Sequence, residues 1–355
     1  MRTLQALPGG RFRWRSLATP PDPKPDGAVV RPIAIATCDM DRPIGQGGTP
    51  FPVPLCFGHE CVADVIKVGS EVRTVAPGDR VVLPFQISCG SCSACDHGHT
   101  SNCLSVPPIS MYGFGLAGGH WGGVVADEVA VPFADGMLVP LPAGVDPVAA
   151  ASVADNVSDA WRHVGPYMPA LLAEGRGDEV LTMGALSKRS LFTASVPMYA
   201  GLIAIALGAR RVVFADARPG VRAEAWALGL EAVEPKELAG LGPFPLVVDI
   251  SASGAGLREA VSHAAPDGIC SSAGGLHANV KLPFSTMYGR NVTLRIARAD
   301  ARTIIPRVLE LMSSGALRPE LVTTALAPID DAIPALEAHM RGASTKTILA
   351  APDLL

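Results

Sequence analysis

The sequence is poor in charged and aromatic residues. Of its 355 residues, 17% are charged and 5% are aromatic, and the formal net charge is −4. Nucleic-acid-binding proteins use clustered basic residues and stacking aromatic side chains, so this composition argues against a nucleic-acid partner. The sequence also lacks the uninterrupted apolar stretch of about 20 residues that a transmembrane helix requires, so we expect no membrane association.

The N-terminal segment is basic but lacks the apolar core of a secretory signal peptide. We therefore expect a cytoplasmic protein, in which thiols stay reduced and disulfides are rare. Metal binding then explains the eight cysteines better than cross-linking does.

Four of the cysteines, Cys89, Cys92, Cys95 and Cys103, form the compact motif C-x2-C-x2-C-x7-C. Four thiolates at this spacing can surround one tetrahedral Zn²⁺, and the turn-forming residues between them favour a lobe folded around a metal. Two disulfides or an iron–sulfur cluster are the alternatives. The missing signal peptide argues against disulfides, and the bacterial ferredoxin-type motif has a tighter fourth spacing followed by proline. We predict a structural zinc site.

A second group of metal-ligating residues is spread along the sequence. Cys38 precedes the triplet Gly58-His59-Glu60, and Asp155 follows much later. A catalytic zinc typically has three protein ligands and one open position for substrate, and we choose Asp155 as the third ligand after Cys38 and His59. Each residue has an ordinary alternative: a buried thiol, a hydrogen-bonded histidine, and a helix N-cap for Asp155.

The apolar pattern predicts an α/β protein with three regions. The region up to residue 155 has short β-like runs separated by proline and glycine, which is typical of an irregular antiparallel β domain. Next, strands at 180–184, 212–216, 232–234, 246–251, 269–274 and 292–297 alternate with helices that include 196–209, 218–228 and 257–264. This alternation predicts a doubly wound parallel sheet. The tail carries two more helices, at 303–315 and 329–341, and a final strand at 345–350.

In order and spacing, these motifs resemble those of zinc-dependent medium-chain alcohol dehydrogenases over almost the whole sequence. The matching segments are CDMD at 38–41, GHE at 58–60, VGSEV at 68–72, PGDRV at 77–81, the four-cysteine lobe, WGGVVADEVAVP at 121–132, LPAGV at 141–145, DISASG at 249–254 and GASTKTIL at 342–349. The resemblance implies a GroES-like, β-rich catalytic domain at 1–157 that contains the structural-zinc lobe at 89–103. It also implies a Rossmann cofactor-binding domain at 158–297 and a C-terminal return to the catalytic domain at 298–355.

The resemblance further implies roles for single residues in the catalytic domain. Cys38, His59 and Asp155 would hold the catalytic zinc, with Glu60 beside the metal. Asp41 would accept a hydrogen bond from His59 and fix its tautomer, unless it is a solvated loop residue. The cysteines that match no ligand position are interpreted as packing residues, and they are Cys56, Cys61 and Cys270.

The sequence departs from the family at the turn that binds the cofactor phosphates. A G-x-G-x-x-G motif is expected between the first strand and helix, because its backbone N–H groups approach the pyrophosphate. Here the segment reads GALSKRSLFTASVPM, in which Gly184 is the one clear glycine of the motif and Pro197 replaces the last glycine. The segment also contains the polar residues Lys188, Arg189, Ser190 and Ser195. These residues either donate hydrogen bonds to the phosphates in place of the missing motif, or they belong to an exposed, solvated loop.

Other positions indicate the cofactor. Asp216 ends the second strand, where a carboxylate accepts hydrogen bonds from the adenosine ribose and repels a 2′-phosphate, which favours NAD over NADP. Arg218 keeps NADP as the alternative. By resemblance, Lys346 reaches the pyrophosphate, and the segment 271–275 with Gly274 forms the turn near the nicotinamide.

The resemblance implies a zinc- and NAD(H)-dependent oxidoreductase that transfers a hydride between an alcohol or carbonyl substrate and the nicotinamide, and it implies a homodimer or homotetramer. Met40 stands where many relatives have a Ser or Thr that relays the alcohol proton, so the proton must leave through water, Asp39 or another group. Aromatic residues of the first domain are either pocket walls, which would suit a hydrophobic alcohol, or ordinary core: Phe85, Tyr112, Phe114 and Trp121.

Two alternatives to this function remain open from the sequence. The same zinc and cofactor could act on a polyol, an amino alcohol or an aldehyde adduct. The altered phosphate turn also allows a zinc-stabilised family member without redox activity.

Overall fold

The computed structural model describes residues 1–176, 178–274 and 279–355. These residues form two compact units. The first unit contains Met1–Ser158 and Ala299–Leu355, and the second contains Asp159–Arg298. Within the described residues, every helix is too short or too polar to cross a lipid bilayer.

The N-terminal part of the first unit is mainly strands joined by short helices. Its strands are β1 (Arg2–Leu7), β2 (Arg11–Ser16), β3 (Ala28–Ala36), β4 (Leu55–Cys56), β5 (Glu60–Val68), β6 (Arg80–Leu83), β7 (Val129–Val131) and β8 (Val139–Pro140). Its α-helices are α1 (Asp41–Gly45), α2 (Ser93–Asp96), α3 (Ala134–Met137) and α4 (Pro147–Ala150), and α5 (Asn156–Val164) leads into the second unit.

The second unit alternates strands and helices. Its strands are β9 (Glu179–Met183), β10 (Arg211–Ala215), β11 (Glu231–Val233), β12 (Phe244–Asp249), β13 (Ala264–Ser272) and β14 (Thr293–Ile296). Its helices are α6 (Met168–Ala173), α7 (Ser195–Ala206), α8 (Pro219–Ala227), α9 (Gly254–Ser262) and α10 (Phe284–Arg290). The chain then adds α11 (Ala301–Ser313), β15 (Ala325–Pro328), α12 (Ala332–Met340) and β16 (Thr347–Ala350) to the first unit.

Short 3₁₀-helices connect several of these elements. They are Thr100–Asn102, Gly115–Gly118, Ala151–Ala154, Pro235–Gly240, Pro319–Val322, Ile329–Asp331 and Pro352–Leu354.

The main sheet of the first unit has the order β15-β16-β3-β5-β6-β8, with β7 also paired to β3. Every residue of β3 except Arg31 is buried, which explains the nearly continuous apolar run in that strand. β3 runs antiparallel to β5 and β16, and also to β7. The end of β3 therefore lies beside the starts of β5 and β16, and this edge of the sheet carries the residues described below.

The sheet of the second unit is parallel, with the order β11-β10-β9-β12-β13-β14. This order confirms the predicted doubly wound sheet: β9 to β11 extend it to one side, and β12 to β14 extend it to the other side of β9. α7 is apolar on almost every side and mostly buried, as predicted for segment 196–209. The core between sheet and helices includes Leu181, Val213, Phe244, Val247 and Leu257.

Candidate metal and cofactor sites

Strand pairing brings the dispersed polar residues of the first unit together. Cys38 lies just beyond the end of β3, and His59 and Glu60 lie at the start of the antiparallel neighbour β5. Gly58 turns the chain into β5 with φ of +88°, and a Cβ atom there would lie 2.7 Å from Val125 Cγ2. Only glycine accommodates both constraints.

The spacing between these side chains fits a metal ion. The ligand atoms of Cys38, His59, Glu60 and Asp155 all lie within 4.8 Å of one another. Asp155 Oδ2 is 3.4 Å from Cys38 Sγ and 3.2 Å from His59 Nε2. Ligands of a tetrahedral zinc, about 2.0–2.3 Å from the ion, are separated from each other by about 3.3–3.8 Å. The residues present therefore fit a zinc ion.

The electrostatics of this cluster also favour a cation. Burial raises the pKa of the Cys38 thiol well above its usual value, and the carboxylates of Asp155 and Glu60 raise it further. Burial also raises the pKa of Glu60 well above the usual range, against the opposing charge of Lys346. Several acidic groups packed together in a buried site are stabilised when a divalent cation supplies positive charge.

The structure contradicts the predicted hydrogen bond between Asp41 and His59. The Asp41 carboxylate accepts a hydrogen bond of 2.8 Å from the backbone N–H of Cys38 instead. Asp41 begins α1, and its short side chain reaches back to the preceding turn, as aspartates at such positions often do. Burial raises the pKa of Asp41 to about 6, while the nearby His59 opposes this shift.

Lys346 also has partners other than the predicted pyrophosphate. Its ammonium group is fully buried and donates to both carboxylate oxygens of Glu60, each at 3.2 Å, and to the backbone oxygen of Thr37. The residue precedes β16, which pairs with β3, so strand pairing brings it close to the cluster of Cys38, His59, Glu60 and Asp155. A buried ammonium needs acceptors of this kind, and contact with a pyrophosphate stays a prediction.

Sequence reasoning missed Asn156. This buried residue follows Asp155 and donates from Nδ2 to Cys38 Sγ at 3.2 Å and to Asp155 Oδ2 at 3.1 Å. Its Oδ1 accepts a hydrogen bond of 2.8 Å from Lys346 Nζ. Its position beside a candidate ligand was the one available signal, because an asparagine in a polar segment has no distinctive pattern.

Aromatic rings line one side of His59. The ring centroids of Phe85 and Phe114 lie 5.9 and 4.7 Å from that of His59. Phe51 packs edge-on against Phe114 with a centroid distance of 4.7 Å. Tyr112 is instead a core residue, because it is fully buried and donates its hydroxyl to Ala130 O. The cluster of metal-ligating candidates therefore has an apolar wall on the side of His59.

The four cysteines of the lobe converge as their spacing predicts. Their sulfur atoms lie within 4.8 Å of one another, and those of Cys92 and Cys103 are 4.0 Å apart. All eight cysteines belong to the described part of the chain, and none forms a disulfide. Hydrogen bonds also converge on the sulfurs, from Leu104 N to Cys92 at 3.3 Å and from Ser105 Oγ to Cys89 at 3.2 Å. Such donors stabilise metal-bound thiolates.

In the second unit, the predicted cofactor residues Gly184, Asp216 and Gly274 all follow the carboxyl ends of parallel strands. Gly184 packs so tightly on Asp216 that a Cβ atom would lie 2.3 Å from Asp216 Oδ2. Gly274 has φ of +58° and lies against Ile296. The carboxyl edge of such a sheet is where nucleotides bind in doubly wound proteins. The predicted turn at 271–275 extends beyond the described residues at Gly275.

The Asp216 carboxylate is buried and already has partners. Asp216 Oδ2 accepts from the backbone N–H of Ala185 and from Arg218 Nη2, and Oδ1 accepts from Arg218 N and Nε. These four bonds measure 2.7 to 2.9 Å. Sequence reasoning treated Arg218 as a separate phosphate ligand and did not anticipate this ion pair.

The segment that replaces the glycine-rich turn contains both exposed and buried polar residues. Lys188 and Arg189 are exposed, whereas Ser195 begins α7 and is fully buried.

A further polar cluster in the second unit was not predicted from the sequence. Buried His163 contacts Ser271 Oγ at 2.8 Å, and its neighbour Arg162 pairs with Asp159 at 2.5 Å. Burial lowers the pKa of His163 to about 4, so this imidazole stays neutral.

Comparison with known proteins adds an independent observation. The alcohol dehydrogenase GroES-like domain family matches residues 24–143. A probable zinc-binding alcohol dehydrogenase of Mycobacterium tuberculosis is 29% identical over 340 residues, which cover 94% of this chain and 83% of the relative. Geraniol dehydrogenase of Castellaniella defragrans is 30% identical over 350 residues, which cover 92% and 91%.

A solved structure shows the same relationship in three dimensions. Alcohol dehydrogenase TADH from Thermus sp. ATN1 superimposes with a TM-score of 0.86 and 26% identity, covering 99% of this chain and 100% of that one. The matches to these relatives and to this structure cover more than nine tenths of the chain, and the family match at 24–143 includes Cys38, His59, Glu60 and the four-cysteine lobe. This protein belongs to the zinc-dependent medium-chain alcohol dehydrogenase family and is a hydride-transferring oxidoreductase.

Proposed function

We propose that this enzyme binds two zinc ions and uses NAD(H) to interconvert an alcohol and a carbonyl compound. The convergence of Cys38, His59 and Asp155 at ligand distances carries this proposal. Family membership supports hydride transfer, and none of the comparisons supports the redox-inactive alternative. The four-cysteine lobe would hold the second zinc, in a structural role.

The side chains around the cluster have distinct tasks in this proposal. When bound, zinc supplies a Lewis acid that lowers the pKa of a substrate hydroxyl and polarises a carbonyl. Phe85 and Phe114 keep water from one side of His59 and offer apolar contact to the substrate. Lys346 holds the Glu60 carboxylate through two hydrogen bonds. Met40 carries no exchangeable proton, so a water molecule or Asp39 takes the alcohol proton.

We assign the catalytic role to the first unit and cofactor binding to the second. The carboxyl edge of the parallel sheet, with Gly184, Asp216 and Gly274, would bind the dinucleotide. Asp216 favours NAD, since its carboxylate would repel a 2′-phosphate. In the structure, Arg218 pairs with the Asp216 carboxylate. On cofactor binding, ribose hydroxyls would replace some of the groups that donate hydrogen bonds to this carboxylate.

Replacing Asp216 tests the cofactor assignment. We expect Asp216→Ala to lower kcat/KM for NAD by roughly 10- to 100-fold, because hydrogen bonds to a charged group contribute about 1.5–3 kcal/mol. The value for NADP should fall much less, since Arg218 loses its partner and can pair with the 2′-phosphate. The ratio of the two kcat/KM values is the readout.

A matched aspartate-to-alanine change at the amino ends of the same parallel strands serves as the control. Asp178 precedes β9 and pairs with exposed Arg210, so Asp178→Ala should leave the NAD to NADP ratio unchanged. An unaltered ratio in Asp216→Ala would rule out the ribose contact.

We propose a medium-sized or bulky hydrophobic alcohol as substrate. The aromatic wall beside His59 and the similarity to a geraniol dehydrogenase support this class over a polyol or amino alcohol. Metal analysis combined with a screen of NAD⁺ and NADP⁺ over terpenoid, aliphatic and polyol substrates tests the function. Two zinc ions per chain and highest kcat/KM on the apolar alcohols are expected; best turnover of polyols would contradict the substrate class.

We further propose a cytoplasmic homodimer or homotetramer. All eight cysteines are free, and free thiols persist in the reducing cytosol, which supports a cytoplasmic location. β14 is an edge strand, and its last residue, Ile296, is 54% exposed. In α10, which precedes β14 in the chain, Phe284 and Tyr288 are 72% and 89% exposed. An edge strand with exposed apolar neighbours is suited to pairing with a second copy. Light scattering measures the assembly directly, and a monomer at micromolar concentration would contradict it.

A further inference from the structure

We propose that Asn156 is a positioning residue of the catalytic zinc site, acting as an amide bridge between the zinc ligands and buried Lys346. This inference rests on the proposed catalytic zinc. Asn156 is only 2% exposed. One end of its amide contacts Cys38 and Asp155, and the other end contacts Lys346.

The chemistry of the neighbours fixes the orientation of the amide. The Lys346 ammonium group only donates hydrogen bonds, so it must face Oδ1. With zinc bound, Cys38 would be a thiolate and Asp155 a carboxylate, and both groups would only accept, so they must face Nδ2. The reversed amide would place a donor against a cation and an acceptor against two anions. Asn156 is therefore locked in one orientation by groups on both sides.

The fixed Asn156 amide constrains Asp155 Oδ2, the oxygen that faces the other two candidate zinc ligands. Asp155 Oδ2, which accepts from Asn156, is the same oxygen that lies 3.4 Å from Cys38 Sγ and 3.2 Å from His59 Nε2. Holding that oxygen fixes the carboxylate rotamer that faces both other ligands. The second N–H contact, to Cys38 Sγ, moderates the charge on the thiolate, as donors to metal-bound ligands generally do.

The bridge also ties the ligand set to the Glu60–Lys346 pair. Lys346 donates to Asn156, to Glu60 and to the Thr37 backbone, so its ammonium is shared between the amide and the carboxylate. An aspartate at position 156 would match the shape of asparagine and could still accept from Lys346. It would, however, turn the Nδ2 donor into an anionic acceptor facing two anionic ligands. Shape alone therefore does not explain the residue.

Cobalt substitution and zinc competition test this inference in the full-length enzyme. We expect Asn156→Asp to bind zinc at the catalytic site about 10- to 100-fold more weakly against a chromophoric chelator, the range typical for lost partners of metal ligands. In the Co²⁺-substituted protein, the thiolate-to-metal absorption of this site should shift and weaken. The Cys38→Ser spectrum, subtracted from each sample, removes the contribution of the four-cysteine lobe. If Asn156→Asp does not fold, the same measurements on Asn156→Ala decide the matter.

Gln86→Glu is the matched control. It makes the same amide-to-carboxylate change at a site that is 3% exposed, where the side chain accepts from Ala301 N. We expect this variant to lose thermal stability while keeping wild-type zinc affinity and cobalt spectrum. Wild-type zinc affinity and spectrum in the Asn156 variants would overturn the inference. If Cys38→Ser retains both zinc equivalents, the proposed catalytic zinc site is wrong. That result differs from wild-type behaviour of the Asn156 variants, so failure of the proposed function and failure of this inference are distinguishable.

Discussion

Cys38→Ser is expected to abolish hydride transfer and to remove one of the two zinc equivalents. A serine hydroxyl is not ionised near neutral pH, so the site would lose its thiolate ligand. Losing the several kcal/mol of transition-state stabilisation that a Lewis acid supplies lowers kcat/KM by roughly 1,000-fold or more. Zinc content by elemental analysis and kcat/KM for the best substrate are the measurements, with circular dichroism to verify the fold.

The control for this change is Cys61→Ser. Cys61 is equally buried in the same unit and lies in β5, where alternation directs it to the face opposite Glu60. We expect this variant to keep two zinc ions and near-wild-type turnover, with a modest loss of stability. Unimpaired turnover in Cys38→Ser would refute the catalytic-zinc assignment.

The second large effect is expected in the four-cysteine lobe. Cys95→Ser removes one of four ligands from a site whose metal replaces a hydrophobic core, and structural zinc sites contribute directly to folding. We expect loss of one zinc equivalent and a decrease in Tm on the order of 10 °C, corresponding to a few kcal/mol. Differential scanning calorimetry and limited proteolysis of the lobe measure these effects.

Hydrogen bonds join the lobe to residues at the start of α11. Ser101 N donates to Asp300 Oδ1 at 2.8 Å, and Thr303 Oγ1 donates to Gly98 O at 3.1 Å. Ordering the 15 residues of the lobe costs more conformational entropy than a few such hydrogen bonds offset, so without the metal we expect protease cleavage to concentrate between Cys89 and Cys103. Cys56→Ser, which changes a cysteine outside the lobe, should keep both zinc ions and the cleavage pattern. A Cys95→Ser variant with wild-type Tm would argue against a structural metal.

Some features followed from the sequence because their physical signal is local. The four lobe cysteines lie within 15 residues, so thiolate chemistry and spacing are sufficient to predict their convergence. The six strands and their helices were predicted within a few residues, except that β13 begins five residues earlier at Ala264. Buried parallel strands need continuous apolar runs, and helices between them need a different period, which makes both visible.

Partner choice among polar side chains was harder to predict. Asp41 was expected to contact His59 but binds the Cys38 backbone, and the hydrogen bonds between Lys346 and Glu60 were not expected. Asn156 and the Asp216–Arg218 pair went unnoticed. In each case, several acceptors or donors were chemically equivalent, and differences in position of a few ångströms decided among them.

Residue chemistry and spacing thus established the fold class, the lobe and the set of groups able to hold zinc, because these depend on periodicity and on ligand type. The folded chain settled which of those groups meet. β3 pairs with β5 and β16 over long sequence separations, and this pairing carries Cys38, Glu60 and Lys346 to one sheet edge. No local sequence pattern predicts that these three side chains lie close together, since their proximity depends on the register of strands that are distant in the chain.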